Sequence, residues 1–482
     1  MDAVTSFRRA VHRGPDHPFA FDATSSVTYA EADARSDAIA AALADAGLGP
    51  GDIVGLSSPD CVAQLLAILG SWKAGVLPGL LDARTGDDDL PYFVGDVGAK
   101  LVLAAPDLHE RLGAAGAPAV ADIGSFGADG GVGDASRHGP DSPLYLSYTS
   151  GTTGAPKGAI LRSGPVTLGT SCIADRLGIT RDDVLLATTP TASSFQLVAA
   201  FLPAVHACAT IGLTAGRSTD EIWAIARERG ATVLVAYPLT LSDVVQAPQA
   251  IETGGSFRVA LSGGSPLAPR IKRDYRERLG IPLLESYGQS ELGGFMALGG
   301  REDGERSLAG YVGRALPDRP AYVADPDGDE LPPGTVGEVV VPWGFFDSYA
   351  NKPSETATVL AGGVLRCGDL GIADADGYLK VLGRTREADA ADRRGGFLRE
   401  LEDALYEHEN VQHAAVVERA TDREIVAFVE LRAGMTVGDD ELASFAAARV
   451  PAGLRPAATS ILARMPRTFS GKANRQQLSL DI

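Results

Sequence analysis

Between Tyr148 and Gly158 the chain reads YTSGTTGAPKG: three glycines, four short hydroxyl residues, a proline and a lysine in eleven positions. Such a stretch has almost nothing apolar to bury, and Gly and Pro interrupt regular structure. It can instead present backbone N–H groups, hydroxyls and one ammonium to an anion, which is what gripping a phosphate requires. Thr149, Ser150, Gly151, Thr152, Thr153 and Lys157 are the expected gripping residues. Further along, single residues suit companion tasks. Tyr287 and Glu291 in YGQSE combine a flat ring, apt for a purine face, with a hard carboxylate, apt for Mg²⁺. Asp369 in RCGDL could accept from both hydroxyls of a vicinal diol. Lys472 in RTFSGK is a cation close to the end of the chain.

The commonest phosphate loop, G-x-x-x-x-G-K-[ST], does not fit. Pro156 stands where its second glycine belongs, Gly158 replaces the Mg²⁺-binding hydroxyl, and no helical pattern follows Lys157. A plain surface loop does not account for so ordered a mixture. Taken singly, the other stretches are weak signals: a Tyr-Gly turn after an apolar strand is commonplace, and a lone Ser-Gly-Lys is usually a solvated turn.

Elements must hold these residues in place. Leu144, Leu146 and Tyr148 before the loop, and Ala159, Ile160 and Leu161 after it, read as strands anchoring both ends. Thr28 and Glu31 have capping-box spacing, and Ala32, Ile39 and Leu43 follow on one helical face as far as Gly47. A turn at 49–52 leads into the strand Ile53–Leu56, and Ser58 is expected to cap the apolar helix that ends near Gly75. Helix Asp220–Arg229, strand Thr232–Ala236 and strand Arg258–Leu261 continue the alternation, the mark of layered α/β structure. Phe195–Leu213 is the longest apolar run; broken by Pro203, it reads as a buried helix running into a strand rather than a membrane span. Residues 105–141 read as irregular surface structure.

At 482 residues the chain exceeds a single core, so two or more domains are expected. TREADAADRRGG, from Thr385, is charged and Gly-ended and reads as linker or exposed loop. Beyond it a helix near 400–408, strands 414–417 and 425–431 and a helix from Asp440 suffice for a small α+β domain. The division is placed at 1–385 and 386–482. A net charge of −19 argues against nucleic acid, which demands clustered Lys and Arg. Four scattered cysteines without metal spacing, and an N-terminus without an apolar signal segment, make a reduced cytoplasmic protein the expectation.

In this order and spacing the motifs strongly resemble those of the adenylate-forming superfamily, which includes acyl-CoA synthetases, peptide-synthetase adenylation domains and luciferases. The glycine-rich loop matches its signature, and Ser262–Ser265 (SGGS) its adenine- and acyl-lining stretch. YGQSE matches Tyr-Gly-x-Thr-Glu, RCGDL with Gly383-Arg384 its ribose motif, and RTFSGK with Arg475 its C-terminal lysine motif. The resemblance implies a large N-terminal domain of stacked α/β layers and a small mobile C-terminal lid, hinged at Arg386. It implies that Gly263, Gly264, Ser265, Tyr287, Gly288, Ser290, Asp369 and Arg384 bind the nucleotide. It assigns Thr152, Glu291 and Lys472 to catalysis, with Glu291 holding Mg²⁺. The acid pocket would draw on Ser193, Ser194, Phe195, Ala236, Gly264, Gly288 and Gln289. Arg at the hinge is a mild departure from the family's Asp or Lys.

Two further departures bear on the product. Ser193 and Ser194 stand where acyl-CoA synthetases often carry His and amino-acid-activating domains carry Asp. Without that Asp an α-ammonium would have no counter-charge and would be costly to bury, so α-amino acids are disfavoured. After the hinge, EADAADRRGGF leads straight to Glu400 without the family's Ile-Lys pair, where the pantetheine of CoA or a carrier protein would pass. The expected function is therefore ATP- and Mg²⁺-dependent activation of a small non-α-amino carboxylic acid, aromatic acids included, with transfer to a thiol or amine. An atypical acceptor remains the alternative, whether carrier protein, amine or an aryl amine meeting activated nitrite. So does loop drift, since exposed loops tolerate change. A non-catalytic ATP-binding relative is disfavoured because Lys157, Glu291, Asp369, Arg384 and Lys472 are all present.

Overall fold

Short apolar strands buried on both faces need helices on either side, and this chain supplies them in alternation. The computed structural model describes residues 1–482 except 60, 129–137, 149–155, 253–255, 317–319, 343–345, 420, 469–470 and 481–482. Among the described residues, one sheet has seven strands. In spatial order they are Phe346–Tyr349, Gly158–Arg162, Pro143–Tyr148, Leu77–Leu80, Ile53–Ser57, Leu101–Ala104 and Val120–Asp122. The strands expected on either side of the glycine-rich loop are the antiparallel pair Pro143–Tyr148 and Gly158–Arg162, with Tyr148 opposite Gly158. The two strands that flank the loop's sequence are thus paired with each other.

A second, thirteen-stranded sheet centres on parallel strands Leu283–Tyr287, Val259–Ser262, Val233–Ala236, Val184–Ala187 and Thr210–Leu213. Its far arm is antiparallel and contains the hairpin Val364–Ala373 with Tyr378–Arg384. The run from Phe195 is helical through Ala207, with a wide π-type turn at Leu197–Phe201 just ahead of Pro203, and then enters the strand Thr210–Leu213. Proline lacks the N–H of a regular helical rung, and the widened turn accommodates the gap. The small C-terminal domain is a three-stranded sheet, Val411–Glu418, Ile425–Leu431 and Ala458–Leu462. Helices Leu398–Tyr406, Asp439–Ala447 and Arg475–Leu480 accompany it.

Three expectations are corrected. Ser58 does not cap the following helix, which spans Val62–Ala74 and has Cys61 at its cap position without a side-chain bond. Its first N–H, that of Val62, donates instead to Asp22 Oδ2 at 2.8 Å, a cap supplied from 40 residues upstream. Residues 105–141 are not all irregular: helix His109–Ala114 and strand Val120–Asp122 form, and the strand pairs in parallel with Leu101–Ala104. The charged stretch after Arg384 is not an open linker. It makes a tight turn at Thr385–Glu387 and a helix at Ala388–Arg394. Its alanines favour helix, Ala391 is buried, and Gly395 closes the helix in the left-handed region (φ 74°).

Candidate active site

The residues expected to bind the nucleoside lie where strand Leu283–Tyr287 meets the Val364–Arg384 hairpin. Cross-strand register sets Asp369 directly opposite Arg384. Asp369 Oδ1 lies 3.1 Å from Arg384 Nε, while Oδ2 accepts from the Tyr287 hydroxyl at 2.6 Å and Gln289 Nε2 at 2.8 Å. Gln289 Nε2 also donates to the Cys367 carbonyl at 2.6 Å. Burial raises the Asp369 carboxyl above the usual carboxylate range, although Arg384, Tyr287 and Gln289 oppose it. Burial likewise holds the Tyr287 phenol neutral and a donor. Three side chains, those of Tyr287, Gln289 and Arg384, thus converge on one carboxylate.

Lys472 arrives from the small domain. Its Nζ lies 5.3 Å from the centre of the Tyr237 ring, and a Cβ placed on Gly264 would stand 3.5 Å from it. Gly264 has φ +71°, and that Cβ would also meet Tyr237 at 2.8 Å, so a glycine is needed for the close approach. Burial, followed by the like charge of Arg384, lowers the Lys472 ammonium to about 8. Lys472, Arg384 and the Gly263-Gly264 turn therefore face a common space.

At the phosphate end, Lys157 Nζ lies 4.8 Å from the centre of the Tyr349 ring. The Tyr349 hydroxyl donates to Glu291 Oε1, and burial together with Glu291 raises its pKa far out of the titrating range. The ammonium, ring and carboxylate form a row from the end of the glycine-rich loop to the tight turn Ser290–Leu292. Tyr92 Oη donates to the Pro156 carbonyl, pinning the loop's exit. Thr149, Ser150, Gly151, Thr152 and Thr153 lie outside the described residues.

The expected acid pocket is aromatic. Phe195 stacks on Tyr237 (centroids 5.3 Å, interplanar angle 24°), and Phe295 meets Phe195 edge-on at 5.7 Å. Ser193 Oγ lies 2.8 Å from the Tyr237 hydroxyl and accepts from the Phe195 N–H at 3.2 Å. A Cβ on Gly263 would stand 2.4 Å from both the Phe195 ring and Ser286 Oγ, and one on Gly288 would stand 2.1 Å from the Gly294 carbonyl oxygen. Ser194 opens the short helix beside Ser193, and Ser265 follows the Gly263-Gly264 turn half-buried. Ala236 packs with Leu234 and Ala260 in a different core cluster from Phe195 and Tyr237. Strand alternation turns the next residue, Tyr237, to the pocket instead.

Tyr237 and Tyr349 are the residues that sequence reasoning missed. Tyr237 follows a strand already assigned to the pocket and could have been found from the period of two. Tyr349 carries no local signal: its strand joins the glycine-rich hairpin from 187 residues beyond Arg162, with Tyr349 opposite Ala159.

Known proteins resemble this chain along most of its length. The AMP-binding enzyme family model matches residues 7–342, and the AMP-binding enzyme C-terminal domain matches 400–472. The chain is 27% identical to feruloyl-CoA synthase of Amycolatopsis sp over 460 residues, covering 93% of this chain and 92% of the relative. It is 30% identical to indoleacetate–CoA ligase of Aromatoleum aromaticum over 345 residues, 70% of this chain and 67% of the relative. ATP-bound MatB from Rhodopseudomonas palustris has the same architecture, with a TM-score of 0.87, 27% identity and 100% and 99% of the two chains covered. The chain therefore belongs to the adenylate-forming AMP-binding enzyme family and is an ATP-dependent ligase that releases AMP and pyrophosphate.

Proposed function

We propose that the enzyme activates a small aromatic monocarboxylic acid as its acyl-adenylate and passes it to a thiol. The observation carrying this reading is the Phe195–Tyr237 stack, edged by Phe295 and placed beside Lys472. An aromatic wall next to a cation suits a ring bearing one carboxylate. Feruloyl-CoA synthase and indoleacetate–CoA ligase, both named for aromatic acids, support the same class.

In the first step a carboxylate oxygen of the acid attacks the α-phosphorus of ATP and pyrophosphate leaves. No side chain acts as nucleophile; catalysis is positioning and charge stabilisation. Asp369 takes the ribose hydroxyls, displacing part of its present partnership with Tyr287 and Gln289, and Arg384 lies alongside. Lys472 stands between the acid and the α-phosphate, offsetting the charge that grows on phosphorus. Lys157, with Thr149, Ser150, Gly151, Thr152 and Thr153, holds the outer phosphates.

Among the described residues no cluster of three metal-ligating side chains forms. A lone carboxylate, Glu291, beside the phosphate loop fits Mg²⁺, which keeps several waters and binds through one or two carboxylates plus substrate phosphates. When bound, the ion would neutralise charge on the phosphates.

In the second step the thiol attacks the acyl carbon and AMP leaves. For this the small domain, residues 386–482, would turn about Arg386 and withdraw Lys472. The acceptor is CoA in the first reading, in keeping with the relatives. A second reading, a carrier protein or amine (or nitrite in place of the acid), draws on the helix Ala388–Arg394, which stands where sequence suggested an open loop. The four cysteines, none in a disulfide, are in keeping with a cytoplasmic setting.

The test is pyrophosphate release over a panel of benzoate, ferulate, indoleacetate, malonate, sulfoacetate, α-amino acids and nitrite. Each is crossed with CoA, holo-carrier protein, an amine or no acceptor. Turnover confined to the aromatic acids and completed by CoA is expected. Preference for malonate or an α-amino acid would overturn the substrate class, and efficient transfer only to an amine would overturn the acceptor.

A further inference from the structure

Helix Pro238–Gln246 of the large domain has two working faces. Leu241, Val244 and Val245 are buried in a core cluster that takes in residues of both domains, among them Ala260 and Leu401. Leu239, Ser242 and Asp243, at i, i+3 and i+4, turn to the small domain. Leu239 packs in a cluster with Val417, Phe428 and Met465. Ser242 Oγ donates to the Gln412 carbonyl at 3.1 Å.

Asp243 is held from three sides. Gln412 Nε2 donates to its Oδ1 at 3.2 Å, His413 Nε2 lies 2.8 Å from the same oxygen, and Arg467 Nη2 donates to Oδ2 at 2.6 Å. His413 is fully buried at this junction. Burial works to raise the Asp243 carboxyl, but the bond with His413 and the charge of Arg467 hold it below the ordinary range.

Arg467 is also the first residue of the hairpin that presents Lys472. It bridges Ala473 across the hairpin, Thr468 N–H donates to the Lys472 carbonyl at 2.7 Å, and Lys472 N–H donates to Thr468 Oγ1 at 3.2 Å. Among the described residues, a polar connection from the large domain to the Lys472 backbone runs through Asp243 and Arg467. A half-buried ion pair gives little net stability compared with apolar packing, so what this one supplies is geometry.

We propose that Asp243 is a positioning residue for adenylation: its pairing with Arg467 seats the Lys472 hairpin, and it opens before the thiol step. This rests on the role given to Lys472 above. The geometry demands that loss of the pairing act on one half-reaction. Displacing a catalytic cation by about 1 Å costs on the order of 100-fold, whereas transfer needs the hairpin withdrawn.

The test uses the full chain as Asp243→Asn, Arg467→Gln, the double variant and Lys472→Ala. Pyrophosphate release is measured with whichever of benzoate, ferulate or indoleacetate is turned over fastest, and transfer with the chemically prepared adenylate of the same acid and CoA. Asp243→Asn should slow the first about 10–100-fold and leave the second within about threefold. The double variant should be no slower than either single one, as expected for one shared interaction. Amide exchange at Thr468, Gly471 and Lys472 should quicken in Asp243→Asn but not in Lys472→Ala. Equal slowing of both half-reactions, an unaltered first one, or unaltered amide exchange would overturn the proposal. An unaltered first half-reaction in Lys472→Ala would instead remove the role of Lys472, and the exchange data would still report whether the hairpin is seated by Asp243.

Discussion

Lys472 lies near neutrality because burial and then Arg384 lower its ammonium to about 8. Its task requires the cation, which is present below that value and lost as pH rises through it. The rate of adenylation by free enzyme (kcat/KM) should therefore fall above pH about 8. Lys472→Arg, whose side chain stays charged, should lack this alkaline limb even if slower throughout. Lys472→Ala should lose about 2–4 kcal/mol of barrier stabilisation, roughly 10²–10³ in rate, with ATP binding nearly kept. Tyr349 acts one step back, through its hydroxyl on Glu291. Tyr349→Phe should raise the Mg²⁺ concentration for half-maximal rate about tenfold or more, as loss of a ligand's supporting bond does; an unchanged Mg²⁺ titration would show that Glu291 needs no such support. Lys157, Asp369, Arg384 and Lys472 were legible as residue types in spaced motifs, because phosphate, diol and carboxylate each demand particular side chains. Tyr349 was not, because an isolated tyrosine carries no chemical signal until its neighbours are known, whereas Tyr237 lay within reach of the strand's period of two.

Elements were legible where periodicity and local caps coincide. Thr28 and Glu31 form the expected capping box at the start of helix Tyr29–Asp45. The helix Val62–Ala74 shows the limit, since its cap comes from Asp22. Asp22 also accepts from the N–H groups of Thr24 and Ser25; burial works to raise its carboxyl, but these bonds and that from Val62 lower it. Asp22→Ala should cost about 1–2 kcal/mol in urea unfolding. Because the folded value is lowered, this stability is present above the ordinary Asp range and is lost as pH falls through the folded value. The difference between Asp22→Ala and the parent should therefore shrink in acid. The helix Ala388–Arg394 was hidden for another reason. One buried residue in seven, Ala391, leaves no apolar stripe to read, and the charges that suggested a linker lie mostly on solvated faces.

At the scale of the whole molecule the two domains meet through ion pairs of different depth. Arg273 with Glu407 and Arg467 with Asp243 are partly exposed pairs, whereas Asp274, 3.5 Å from Arg432 Nη2, is buried. Raising salt from about 0.1 to 1 M shortens the screening length from about 10 to 3 Å and weakens the exposed pairs most. Adenylation should then decline more than transfer from preformed adenylate; equal decline would mean that these pairs do not bias domain orientation. By itself the sequence determined the class: a motif order that marks an ATP-dependent adenylate-forming ligase, and α/β layers that carry a small domain behind them. Those are properties of residue type and local spacing. Only the tertiary structure decided that Tyr237 stacks on Phe195, that the Tyr349 hydroxyl donates to Glu291, and that Asp243 meets Arg467 across 224 positions. These pairings depend on sheet register and domain contact, which join distant positions whose local sequences bear no mark of one another.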